Sequence, residues 1–264
     1  MPRLFLNIYI ENGDKLKLIS PFSCFVVGCT GSGKSITVLD WLKNSDKVFQ
    51  DKFNDIYYFY GSTHQEIFND PKLSHVKFSN DLKLLEKIIQ IEYEEPGVLV
   101  VFDDLMNVTG ENVIFQNLYT KGSHHLNISI INIIQNFFFK SKTFVTLKDN
   151  SQYIYIKRHV NEIKLKTLAN AIGVGTDELM VAYYESDFKD RFGGILVDNH
   201  IKSNIRKISK IRDNLTSDSV GLYITDKNFS YYSNKNIIKK IGVGKDNYFL
   251  DLERLKDSLV LKYI

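Results

Sequence analysis

Residues Gly28, Cys29, Thr30, Gly31, Ser32, Gly33, Lys34 and Ser35 follow directly on an apolar, strand-like run, residues 22–27, and lead into a helix-like stretch, residues 36–43. The spacing G-x-x-x-x-G-K-[ST] between a strand and a helix predicts a loop whose backbone N–H groups turn inward around an anion. Gly28 and Gly33 permit backbone angles and a close approach that a Cβ would block. Lys34 is placed to reach the β- and γ-phosphates and Ser35 to hold Mg²⁺, with Ile36 closing the loop at the positive end of the helix. A Gly/Ser loop that matched by chance would not also bring strand and helix in the required order. The expected ligand is a nucleoside triphosphate.

A chain of 264 residues is long enough for one sizeable α/β core with a small appendage. Its 44% hydrophobic and 13% aromatic content argues for a globular fold and against disorder. The formal net charge of +3 is too mild to demand a nucleic-acid partner, so any such argument must come from local clusters. Cys24 and Cys29 fit neither a metal spacing nor a disulfide framework, and they read as reduced intracellular thiols. The longest apolar runs, residues 98–102 and 128–139, are too short or too interrupted to span a bilayer, and the N-terminal residues lack a signal-peptide pattern. The expectation is a soluble, intracellular protein.

Residues 4–10 and 15–19 flank Asn12-Gly13, a hairpin signal that predicts a small β element at residues 1–20. Residues 56–60 (IYYFY) read as a second core strand ending at Gly61, and residues 81–93 as a helix broken by Pro96-Gly97. Residues 98–102, 128–134 and 153–156 are continuous apolar runs of the kind found in buried parallel strands. Helix-like stretches lie at residues 112–119, 141–148, 161–171 and 176–188, with a further strand at 194–197. The alternation predicts a parallel sheet covered on both faces in residues 21–200, followed by an extension over 201–264.

The run at residues 98–104 delivers two acids, Asp103 and Asp104, at the carboxyl end of an apolar strand. Beside a phosphate loop, Asp103 would hold Mg²⁺ next to Ser35 and Asp104 would orient or deprotonate the attacking water. The bland alternative is a turn or capping Asp-Asp pair. No N-K-x-D motif for guanine is convincing, and the tandem acid suits the ATPase branch in which an extra strand separates the two motif strands. Residues 128–134 supply such a strand. It ends at Gln135-Asn136, where a polar sensor of the γ-phosphate would sit; a strand-end amide that merely satisfies backbone groups is the alternative.

Several segments together resemble the FtsK/HerA-type genome-packaging ATPases of double-stranded DNA viruses. The nearest resemblance is to those of virophages and Polinton- or adintovirus-like elements, with poxvirus-type packaging ATPases more distant. The residues that carry it are 28–35, 56–61, 98–106 (VLVVFDDLM) and above all 119–137 (YTKGSHHLNISIINIIQNF). Weaker similarity runs through 142–156 to 193–198, so it covers roughly residues 20 to 200. The resemblance implies an α/β P-loop NTPase of the ASCE/RecA-like kind, with a mostly parallel central sheet flanked by helices. It also implies ATP and Mg²⁺ as ligands, and a homo-oligomeric ring, a pentamer or hexamer, that drives double-stranded DNA into a capsid. The implied partners are DNA, further copies of the chain, and capsid or portal-vertex proteins. The implied location is the infected host cell, in a virus factory or nucleus, and also the virion.

Carried over to this sequence, the ATPase positions are Lys34, Ser35, Asp103, Asp104 and Gln135. Lys121 falls where ring ATPases of this kind place a cation that reaches the neighbour's γ-phosphate, although it lacks arginine's planar fork; a solvated loop lysine is the alternative. Arg158 is a second candidate for that finger, with a plain surface charge as its alternative. His124 and His125 lack further metal ligands nearby and read as loop-packing residues.

Lys202, Arg206, Lys207, Lys210 and Arg212 form a basic stretch, and on a helix Lys202, Arg206 and Lys210 would share one face able to track phosphates. A solvated charged face is the competing reading. Aromatic residues at 223–232 suit a small hairpin, and residues 248–263 an amphipathic helix. Two other functions stay open on sequence alone: a helicase or translocase not tied to a capsid, and an ATP-switched assembly module with little turnover.

Overall fold

The computed structural model describes residues 6–11, 17–61, 65–105, 115, 117–119, 126–138, 142–157, 162–185, 193–203, 209–213, 219–224, 238–240 and 248–250. In chain order its elements begin with β1 (Leu6–Glu11), β2 (Ser23–Val27), α1 (Lys34–Lys43), α2 (Ser45–Val48) and β3 (Asp55–Tyr60). Two short 3-10 segments, Glu66–Asn69 and Pro71–Leu73, lead to β4 (Val76–Ser79), α3 (Lys83–Ile88), β5 (Val98–Asp103) and β6 (Ile128–Ile134). Then come α4 (Lys142–Asp149), β7 (Tyr153–Ile156), α5 (Glu162–Ala171), α6 (Thr176–Glu185) and β8 (Ile195–Asp198). The strands β9 (Ile211–Asp213), β10 (Ser219–Ile224), β11 (Ile238–Lys240) and β12 (Tyr248–Leu250) complete the described chain.

The twelve strands among the described residues join one sheet in the order β11-β12-β1-β10-β9-β8-β7-β2-β6-β5-β3-β4. From β7 to β4 every pairing is parallel, and β8 then turns the direction with an antiparallel pairing on β7. β6 lies between β2, which leads into the phosphate loop, and β5, which carries the acids. That insertion is the layout expected of the ASCE/RecA-like P-loop fold. The core strands are apolar without alternation because both faces are covered: every residue of β2, β5, β6 and β7 is buried.

Neighbouring residues of one strand serve opposite faces. Phe25 and Val27 point into a core shared with Phe102, Ile130 and Ile154, whereas Cys24 and Val26 meet Trp41, Tyr58 and Tyr155 below α1. The Trp41 ring stands edge-on to Tyr155 at 4.8 Å, which seats α1 on the sheet. On the other face the rings of Tyr119, Phe137 and Phe144 surround Phe25 at 5.5–5.8 Å. Both ends of the segment 119–137 thus pack on the strand that feeds the phosphate loop.

The structure departs from the sequence expectations in several places. β1 pairs antiparallel with β10 and parallel with β12, not with residues 15–19. Leu18 instead exchanges hydrogen bonds with Val48 and Gln50 at 2.8 and 2.9 Å, so its backbone is committed to the end of α2. The helix expected over 81–93 is confined to α3; Asp81 accepts from the Lys83 amide, and the chain beyond Ile88 tightens into short-range bonds. β4 was not anticipated. Residues 248–250 form a strand where a helix was expected, and 251–264 lie outside the described residues.

Candidate functional site

Gly28 leaves β2 at a point with no room for a side chain: a Cβ there would lie 2.6 Å from Ser32 Oγ and 2.7 Å from Lys157 Cβ. Gly31 and Gly33 adopt φ of 78° and 79°, the left-handed region that L side chains rarely enter. Gly33 is the N-cap of α1, and that helix start has neither a capping side chain nor an acidic residue in its first turn. Its positive end is therefore left to an external anion. Ser32 Oγ is buried and has no hydrogen-bond partner among the described residues, an orphaned donor of the kind a bound anion satisfies. These features fit a bound polyphosphate.

Lys34 is buried, and its ammonium donates to the Gly28 and Cys29 carbonyls at 3.0 and 2.9 Å. Burial lowers its pKa; the Cys29 thiol and the Asp103 and Asp104 carboxyls oppose that shift. Ser35, one residue on, donates its hydroxyl to Asp103 Oδ1 at 3.0 Å. Burial raises the Asp103 pKa, while hydrogen bonds from Tyr58 and Ser35 pull it back. A serine hydroxyl and one carboxylate oxygen are a hard-oxygen pair suited to Mg²⁺ whose other ligands are phosphates and water. Among the described residues no group of three His, Cys, Asp or Glu is placed to hold a metal by itself.

Asp104 is exposed with φ of 56°, a turn that swings its carboxyl away from the strand and toward the cleft. Gly61 makes the turn possible, since a Cβ on it would lie 2.8 Å from the Asp104 carbonyl oxygen. Gln135, just past β6, bridges the two halves of the cleft. Its Nε2 donates to Asp104 Oδ1 at 3.2 Å, and its Oε1 accepts from Thr30 Oγ1 at 3.0 Å. The cleft has a volume of about 390 Å³, and Tyr60, Gln65 and Ile133 complete its walls around these residues.

Thr30, Lys34, Ser35, Asp103, Asp104 and Gln135 are thereby gathered from three adjacent strand ends into one site. Lys121, His124, His125, Arg158, Arg206 and Lys207 lie outside the described residues. Of the remaining basic stretch, Lys202 is exposed in a turn, and Lys210 is half-buried with its Nζ donating to the Gly173 carbonyl at 3.3 Å. Arg212 is not a surface contact. It is 2% exposed in β9, with Nη2 3.4 Å from Asp198 Oδ2. Pairing of β9 with β8 draws its guanidinium inward to the buried acid, so Arg212 leaves the basic stretch expected to offer a DNA contact. Sequence reasoning missed Tyr58, Tyr60, Gly61, Gln65 and Lys157 as site residues; the trace of the first two was the tyrosine-rich run at residues 56–60 (IYYFY). Among the described residues no helix is long and apolar enough to cross a membrane.

No protein-family model matches the sequence, and no curated protein matches it. Solved structures resemble it remotely. B204, the DNA-packaging ATPase from Sulfolobus turreted icosahedral virus, is 13% identical at a TM-score of 0.47, over 67% of this chain and 92% of that one. EssC (ATPases 2 and 3) from Geobacillus thermodenitrificans is 12% identical at a TM-score of 0.42, over 91% of this chain and 44% of that one. The P4 protein from bacteriophage phi6, in complex with ADP, is 14% identical at a TM-score of 0.31, over 52% and 50% of the two chains. The strand order and register given above carry the fold assignment: a P-loop NTPase core of mixed, mostly parallel sheet flanked by helices.

Proposed function

We propose that this chain is an ATP-hydrolysing motor that works as a ring of its own copies and moves double-stranded DNA into a capsid. The observation that carries the hydrolytic part is the cleft in which Ser35, Asp103, Asp104, Gln135 and Thr30 meet at the phosphate loop. The packaging part is supported by the resemblance of residues 119–137 to viral packaging ATPases. Bound ATP and Mg²⁺ would supply the electrophilic phosphorus and the cation that offsets its charge. Lys34 neutralises phosphate oxygens, and Ser35 and Asp103 are the residues that would hold the metal. Asp104, exposed at the cleft, accepts a proton from the attacking water. Gln135 links the acid to the phosphate loop and reports whether the γ-phosphate is present. A cation from the neighbouring subunit, Lys121 or Arg158, completes the site.

The test is Asp104→Asn, which is expected to lower hydrolysis about 100-fold or more while ATP still binds. Activity that survives this change removes the base assignment. Particles made with Lys34→Ala should assemble as capsids without DNA; filled particles would remove the packaging assignment.

A further inference from the structure

Tyr58 is fully buried in β3, and its hydroxyl donates to Asp103 Oδ2 at 2.7 Å while Ser35 takes the other carboxylate oxygen, Oδ1, at 3.0 Å. The register explains the reach. Tyr58 lies opposite Val101 and Tyr60 opposite Asp103, so the Tyr58 ring sits on the acid's face of the sheet, one pleat below it. The ring extends upward and ends at the carboxylate. It is fixed there against Phe68 and Phe78, whose centroids lie 5.6 and 5.3 Å away and which stack on each other at 4.3 Å. A phenylalanine would fill this space without a polar group to satisfy, so the hydroxyl needs a reason to be there. Its one proton is committed to Oδ2. The carboxylate is therefore held against rotation about its last bond, with Oδ1 turned toward Ser35 and the phosphate loop.

We propose that Tyr58 is a positioning residue for the metal-holding carboxylate: it fixes the orientation of Asp103 before a nucleotide arrives. This rests on the reading of Ser35 and Asp103 as the pair that holds Mg²⁺. The hydroxyl does not touch the metal or the nucleotide; it acts through the oxygen it occupies, as outer partners of metal ligands do.

The experiment uses the full chain with Mn²⁺ as the spectroscopic probe and a non-hydrolysable ATP analogue. Mn²⁺ affinity is read by electron paramagnetic resonance, and affinity for the analogue is read separately in chelator. Tyr58→Phe should weaken Mn²⁺ binding about tenfold or more and leave metal-free analogue binding and the melting temperature near those of the parent. Phe78→Leu, which keeps the hydroxyl but loosens the ring, should produce a smaller loss of the same kind. Asp103→Asn is the control. If Asp103→Asn weakens Mn²⁺ binding and Tyr58→Phe does not, the positioning role is overturned and the site reading stands. If neither weakens it, the metal pair itself is misassigned, and this inference falls with it. Loss of metal-free analogue binding in step with Mn²⁺ in Tyr58→Phe would make the hydroxyl a fold element and also overturn the proposal.

Discussion

Two cysteines five residues apart sit in opposite surroundings. Cys24 is fully buried in β2, where burial pushes its thiol far above the ordinary range, whereas Cys29 lies partly exposed in the phosphate loop. A maleimide at pH 8 should therefore label Cys29 and spare Cys24 until the protein unfolds, because the thiolate is the reactive form. ATP should slow the labelling of Cys29, and peptide mapping distinguishes the two sites. Equal labelling of both in the native protein would contradict the buried position of β2. The motif residues were readable because their roles depend on neighbours in sequence: Gly28 to Ser35 form one loop, and Asp103 and Asp104 one strand end. Tyr58 was not readable. Its partner lies 45 residues away, and only the β3–β5 register brings the hydroxyl to the carboxylate.

Because β6 separates β2 from β5, the ends of those two strands stand two strand spacings apart, on the order of 10 Å, and the loop reaches across to Asp103 only through Ser35. Gln135, at the end of the intervening strand, makes a second link with both ends of its amide engaged, to Thr30 on one side and Asp104 on the other. Thr30→Val keeps the shape of residue 30 and removes its donor, so it should leave ATP affinity nearly unchanged and lower turnover about 2- to 10-fold, the worth of one neutral hydrogen bond. A parallel fall in ATP affinity, measured with a fluorescent analogue, would mean that Thr30 serves binding instead. Between β8 and β9 the buried Arg212–Asp198 pair calls for a different measurement. Asp198 also accepts from Ser203 Oγ at 2.7 Å and from the His200 amide at 3.0 Å, so Arg212→Ala would strand a buried carboxylate with neutral donors only. The expected cost is about 3–5 kcal/mol, read as a lower denaturant midpoint, with little change for Lys202→Ala. The run of basic residues in the sequence suggested a solvent-facing cation at Arg212. It misled there because the strand pairing that buries that residue is non-local.

The proposed ring places the catalytic cleft at a boundary between subunits, so specific activity should rise with protein concentration and fall on dilution. Turnover measured across a dilution series, with mass read by light scattering, checks this; constant activity down to the monomer would remove the shared site. The sheet itself extends well past the cleft. Beyond β8 it continues through β9, β10, β1, β12 and β11, which the sequence did not disclose, since β1 pairs with strands more than 200 residues away. β1 lies between β10 and β12, and Glu11 pairs with Ser219. During synthesis at about 5–20 residues per second, β1 would leave the ribosome some tens of seconds before either strand that flanks it. The nucleotide cleft draws on strands made in the meantime, so it can close while β1 is still waiting. In the cell, that interval exposes a strand edge that chaperones or a neighbouring nascent copy can reach.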